Sequence, residues 1–158
     1  MIITRITTDE LYAINHGADL FTFASKMAKE LENTPFNIRL DPFHFAQVSM
    51  QNIYNPNCGY FIACENNVIV GIISCIIIDS MASSDRMATE DFFGVLQSHR
   101  SSAGTKLIKE ALCWSKSENC KHFMLGLNKM FYSCDRVDKL YKAIGFQEYE
   151  KIYIKEII

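Results

Sequence analysis

The stretch Glu90–Lys109, EDFFGVLQSHRSSAGTKLIK, decides the fold. Alternation runs into it from Met87, with Met87, Thr89, Asp91, Phe93 and Val95 on one side and Ala88, Glu90, Phe92, Gly94 and Leu96 on the other, which is the period of a strand. Arg100, Ser101, Ser102, Ala103 and Gly104 follow as a run of small side chains and hydroxyls. After them Leu107, Ile108, Ala111, Leu112 and Ser115 recur at helical spacing. The reading is strand, tight loop, helix.

A helix start leaves about four backbone N–H groups without intrahelical partners and carries roughly half a positive charge. Small residues there let an anion come close, and Arg100 adds a forked cation suited to phosphate oxygens. The same residues also describe a serine-capped helix with a solvated arginine. The loop alone leaves both readings open.

A second block stands near the end of the chain, Leu140-Tyr141-Lys142-Ala143-Ile144-Gly145-Phe146. Together the blocks resemble the GNAT family of N-acetyltransferases. Arg100 takes the first position of the family's Q/R-x-x-G-x-G/A loop, with Ala103 and Thr105 at its glycine positions and Gly104 between them; the second block resembles the LYxKxGF segment that ends the last helix. The connection near Glu32 to Pro35 and the Asn66-Asn67 pair extend the likeness to most of the chain, and short phage and bacterial members are the most similar in pattern.

The bounds set by composition agree with such a domain. The 158 residues suffice for one domain, 1–158, with a core of ordinary size. With 49% apolar and 22% charged residues, the composition is that of a globular protein. The longest apolar run, Val68 to Ile78, is short of the ~20 residues of a membrane span. A net charge of −2 offers no general basic field for nucleic acid. The N-terminal Met-Ile-Ile-Thr-Arg lacks a secretory pattern, so the expectation is cytoplasmic, with no membrane and no nucleic-acid partner. Cys58, Cys64, Cys75, Cys113, Cys120 and Cys134 show no zinc-ligand spacing; free thiols and no metal are expected.

In chain order, Ile2 to Ile6 reads as a strand, and Thr7 or Thr8 with Asp9 as a helix start. Leu11, Ile14, Ala18, Phe21, Ala24, Ala28 and Leu31 form an apolar stripe, with Gly17 placed to interrupt it and Thr34-Pro35 to end it. Asp41-Pro42 opens a second helix through Phe45, Val48 and Ile53, which Asn55-Pro56-Asn57 stops. Gly59 to Glu65 and Val68 to Asp79 form a hairpin about Asn66-Asn67. His122 to Leu127 reads as a strand, Ser133 to Ile144 as a helix and Phe146 to Ile157 as a terminal strand or hairpin. The order β-α-α-β-β-β-α-β-α-β predicts a mixed, largely antiparallel α/β sheet with flanking helices.

The resemblance implies an acyl-CoA N-acyltransferase fold in which the central strand and the next one splay apart after a bulge. It implies acetyl-CoA as acetyl donor, direct transfer in a ternary complex to a primary amine on a small molecule or protein, and a homodimer as one possible assembly. The implied donor-binding set is Val95, Leu96, Gln97, Arg100, Ser101, Ser102, Ala103, Gly104, Thr105, Asn128 and Arg136, with Cys134 where an asparagine often stands. Glu32, Phe36 and His44 become acceptor-side candidates.

An amine of pKa near ~10.4 must lose a proton before it attacks, which calls for a carboxylate base. Glu90 is the candidate and Asp91 the alternative, since strand neighbours point to opposite faces. Tyr141 matches the family's general acid; its other reading is packing beside Leu140 and Phe146. The competing function is a catalytically inactive acyl-CoA-binding or protein-interaction module of the same fold. A third, weaker reading is an unrelated anion-binding domain.

Overall fold

The computed structural model describes residues 1–8, 17–31, 39–79, 84–100, 102–127 and 134–149. Five strands line up in the order β1-β2-β3-β4-β5: β1 (Ile2–Arg5), β2 (Cys58–Glu65), β3 (Val68–Asp79), β4 (Arg86–Val95) and β5 (His122–Met124). All neighbours are antiparallel except β4 and β5, which run parallel. That parallel pair requires a crossover, and α3 (Ala103–Ser117) provides it. The sheet is therefore mixed and largely antiparallel, as expected.

The β2–β3 hairpin turns on Asn66 and Asn67 at φ 51° and 60°, positive angles that asparagine tolerates. Two helices precede it, α1 (Ala18–Glu30) and α2 (Pro42–Tyr54). Asp41 caps α2, its Oδ1 accepting from the N–H groups of Phe43 and His44 at 2.9 and 3.1 Å. α1 starts after Gly17, and its buried stripe is Leu20, Phe23, Ala24 and Met27, continued by Leu31.

This corrects the predicted stripe. Phe21 is 44% exposed and Ala18 faces solvent, while Leu11 and Ile14 lie outside the described residues. Both phases satisfy helical spacing, but the one carrying Leu20, Phe23 and Met27 removes more apolar surface from water than one relying on Ala18 and Ala28.

Side chains alternate across β3 and sort the helices onto two faces. Ser74 and its cross-strand partner Tyr60 bond to α2 through Asn52 and Ser49, and Gly94 packs near Met27 of α1. On the other face Gly71 lies against Leu107, Phe93 against Gly104, and Gly59 against Trp114, all in α3. The core comprises two layers, with Ile72 and Ile73 fully buried on opposite sides of the sheet.

Gly59 is a close-packing position. A Cβ there would lie 2.6 to 2.8 Å from Trp114 ring atoms, and the indole is itself buried. Gly59→Ala is expected to cost about 1–3 kcal/mol by overpacking, measured as a lower urea midpoint at unchanged slope.

Two further expectations are corrected. β5 covers three residues rather than His122 to Leu127, because the chain after Met124 leaves the ladder and Gly126 turns its N–H to the Glu90 carboxylate. Phe146–Tyr149 forms no strand, and residues 150–158 lie outside the described set.

The chain divides into two compact units, residues 1–126 and 127–158. The features above belong to the first. In the second, α4 (Cys134–Ile144) ends in a double cap: Gly145 N–H donates to Lys142 O and Phe146 N–H to Tyr141 O, both at 3.0 Å. Gly145, at φ 105°, supplies the left-handed turn this cap needs. Tyr141 is buried, its ring 5.8 Å from that of Phe146. The Gly-Phe pair after the last helix thus has a local structural cause.

Candidate active site

The site begins with a bulge. Ser74 pairs with Phe92 and Cys75 with Glu90, leaving Asp91 as an extra residue in β4. The simple alternation predicted for Met87–Leu96 therefore breaks at Asp91. Asp91 and Phe92 both line a concavity beneath α2, whereas Glu90, opposite Cys75, turns toward Gly126.

The bulge also ends the pairing of β4 with β5. The parallel ladder covers Met87, Ala88 and Thr89 against His122, Phe123 and Met124, and stops one residue before Glu90. Beyond this point β4 continues to Val95 against β3 alone among the described strands. Leu96 N–H donates to Val70 O at 2.9 Å, which sets the phase of the β3–β4 ladder. By alternation the main-chain groups of Phe93 and Val95 face away from β3, toward the side β5 occupies lower down.

Glu90 sits where the strands part. One carboxylate oxygen is served by the Gly126 N–H, and the absence of a Cβ at Gly126 permits that approach, since an added Cβ would come 2.8 Å from Oε1. Oε2 is closed off from solvent and has no hydrogen-bond partner among the described residues. Burial pushes the carboxyl up to about 7, the Gly126 bond opposes the shift, and the Asp91 charge adds to it. A carboxylate titrating near neutrality and lacking a partner on one oxygen is equipped to take a proton.

Asp91 has a different environment. Its Oδ2 accepts from Asn52 Nδ2 at 2.7 Å, and the same amide donates to Ser74 Oγ at 3.2 Å. The concavity it lines has a volume of about 280 Å³. Exposed His44, predicted on the acceptor side, borders this concavity; Glu32 and Phe36 lie outside the described residues.

The turn after β4 is fastened by two carboxylates. Glu30 of α1 accepts from Gln97 N–H through both oxygens, at 3.1 and 3.0 Å, and from Arg100 Nη2 at 3.2 Å. Arg100 Nε also donates to Val95 O at 3.1 Å. Glu65 bonds His99 Nε2 at 3.0 Å, and His99 Nδ1 meets Ser98 Oγ at 2.7 Å. Arg100, read from sequence as a phosphate cation, is thus bonded to this turn. Neither Glu30 nor Glu65 stood out in the sequence, because each lies in an element remote from the loop.

The Leu96 and Gln97 amides serve Val70 and Glu30 respectively, whereas the main chain of Phe93 and Val95 faces the other side of β4, with Val95 O accepting from Arg100 Nε. Ala103, Gly104 and Thr105 form the first turn of α3, so the helix begins within the small-residue run rather than after it. Ser102 precedes them and makes no side-chain cap. Ser101 and Asn128 lie outside the described residues, as does the side chain of Cys134; Arg136 is exposed on α4. Among the described residues Cys58, Cys64, Cys75, Cys113 and Cys120 are free thiols, no metal-binding group occurs, and no helix is long and apolar enough to cross a membrane.

Comparison with known proteins places this geometry. No curated protein sequence matches the chain. Among solved structures, an aminoglycoside acetyltransferase from an uncultured soil metagenomic sample, in complex with sisomicin, is similar at TM-score 0.69 and 16% identity over 99% of this chain and 95% of that one. AAC(6')-Iy, in complex with the bisubstrate analog CoA-S-monomethyl-acetylneamine, gives TM-score 0.70 and 17% identity over 99% and 97%. A ribosomal-protein-alanine N-acetyltransferase from Brucella melitensis biovar Abortus 2308 gives 0.68 and 11% over 99% and 100%. At these identities the likeness is one of fold. The sequence profile described as Acetyltransferase (GNAT) family matches residues 24–146, taking in the β4 bulge, the start of α3 and the capped end of α4, and the chain belongs to the GNAT family of N-acetyltransferases.

Proposed function

We propose that the protein is an acetyl-CoA-dependent N-acetyltransferase that transfers an acetyl group directly to a primary amine in a ternary complex. The observation that carries this reading is the parting of β4 and β5 at Glu90, a half-buried carboxylate whose enclosed Oε2 has no hydrogen-bond partner among the described residues. The family match across both compact units supports treating 1–158 as one catalytic domain.

The residues at the opening fit an acyl-CoA. β4 runs on past the end of the β5 ladder, with Val95 O accepting from Arg100 Nε, and α3 starts without a side-chain cap from Ser102, its small residues Ala103 and Gly104 buried against the sheet. When bound, the thioester supplies an activated acyl carbon. Val95 orients the acyl group through its main chain. Leu96 and Gln97 hold the adjoining turn, Arg100 braces it against Glu30, and the start of α3, with Ser101, Ser102 and Thr105, receives phosphate. Asn128 and Arg136 are proposed as further donor-binding residues on the family resemblance alone.

Glu90 takes the proton that an ammonium must lose before its nitrogen can attack. With its own affinity for protons near neutrality, it is better matched to this task than an ordinary exposed carboxylate. Tyr141 Oη is the proton source for the departing sulfur, a role its position in the Leu140–Phe146 block supports. No metal enters the scheme, and the acceptor carries an amine.

The test is calorimetric titration of acetyl-CoA into wild type and Arg100→Ala, with thermal melts of both. Wild type is expected to bind on the order of micromolar, and Arg100→Ala about tenfold more weakly while still folded, because the turn before α3 loses its brace. Folded wild type that binds no acetyl-CoA would overturn the reading.

A further inference from the structure

Resting on the reading that the protein acetylates an amine, we propose that the concavity beneath α2 receives an acceptor bearing a second ammonium group, recognised by the carboxylate of Asp91. Three observations converge on this. Asp91 is the extra residue of the β4 bulge, so it leaves the plain alternation of the strand and joins Phe92 in lining a cavity of about 280 Å³.

Its only hydrogen bond among the described residues comes from Asn52, a neutral donor. Asn52 Nδ2 uses one proton on Asp91 and the other on buried Ser74, so the amide is anchored and holds Oδ2 in place without cancelling its charge. Asp91 is exposed and forms no ion pair with Lys or Arg among the described residues, so its oriented carboxylate is accessible from solvent.

The surroundings define what it can hold. The ionisable lining is Arg39, Asp41, which caps α2, His44 and Asp91; with His44 neutral the formal charges of Arg39, Asp41 and Asp91 sum to −1, a site that attracts a cation. Phe45 and Phe92, with ring centroids 4.8 Å apart, and Val48 supply apolar walls for methylenes. An oriented carboxylate beside apolar walls matches an ammonium on a short aliphatic chain. Glu90 precedes Asp91 on the strand and turns instead toward Gly126 and the parting of β4 and β5, outside the lining of this concavity, so the ammonium recognised by Asp91 is a group separate from the nitrogen that reacts.

The test titrates 1,4-diaminobutane and n-butylamine into the full chain, with and without saturating CoA, for wild type, Asp91→Asn and Asp91→Glu. Wild type is expected to bind the diamine at least about tenfold more tightly than butylamine. Asp91→Asn should lose about tenfold for the diamine and nothing for butylamine, with Asp91→Glu intermediate. Thermal melts establish that the variants fold. No diamine binding, equal binding of the two amines, or unchanged diamine affinity in Asp91→Asn would each overturn the site. An acetylation assay then separates the two readings: diamine bound through Asp91 but never acetylated supports the site and removes the proposed activity, whereas acetylation with the same diamine KM in Asp91→Asn supports the activity and removes the site.

Discussion

Glu90→Gln is expected to lower kcat for acetyl transfer about 10²- to 10⁴-fold, the usual contribution of a positioned general base. The amide keeps an acceptor for the Gly126 N–H and nearly the same volume, so the loss isolates proton transfer from packing. KM for the amine should change little, since the role proposed for Glu90 is on the nitrogen rather than in holding the rest of the acceptor. In wild type, kcat/KM should rise with pH and level off above about 7, where the Glu90 carboxyl is ionised. The variant should lack that limb. A variant with wild-type kcat and an unchanged pH profile would assign the base elsewhere. The first alternative is Asp91, tested by whether Asp91→Asn lowers kcat rather than raising KM.

The same substitution is expected to stabilise the fold, with a pH dependence that identifies the cause. Burial holds the Glu90 carboxyl at about 7 in the folded protein against an ordinary value of 4.5. Between these values the folded state binds the proton that the unfolded chain has released, so raising the pH draws the equilibrium toward unfolding. The cost is absent below about 4.5, grows through the window and is complete above about 7. Its full size is about 3 kcal/mol. Glutamine carries no charge to desolvate. Glu90→Gln should therefore melt about 5–10 °C above wild type at pH 8 and together with it near pH 4.5, measured by calorimetry at both pH values. Equal melting temperatures at pH 8 would mean that the carboxylate is hydrated in solution. Gain in stability alongside loss of turnover is the pattern of a residue kept for chemistry.

The first helix shows where periodicity stops being decisive. Two apolar phases run along the same segment at the same spacing, and packing selected Leu20, Phe23 and Met27 over Ala18 and Phe21. The turn after β4 shows another limit. Arg100 was conspicuous in the sequence, but the two carboxylates that fasten its turn come from α1 and β2, about 70 and 34 positions away along the chain. Local pattern carries no information about such partners.

By itself the sequence determined the features that rest on nearest-neighbour chemistry. These are the Asn66-Asn67 hairpin turn, the Asp41-Pro42 helix start, the strand-to-helix passage around Arg100 and the Gly145-Phe146 helix end. Each is specified by backbone angles and hydrogen bonds within a few residues. Only the tertiary structure decided the separate surroundings of Glu90 and Asp91. Strict alternation places Asp91 opposite Phe92, but the bulge against Ser74 and Cys75 turns both toward α2 and leaves Glu90, its Oε2 enclosed, at the parting of β4 and β5. The reason is physical: a bulge is set by the register between two strands, and the affinity of a carboxyl for its proton is set by what closes around it in space.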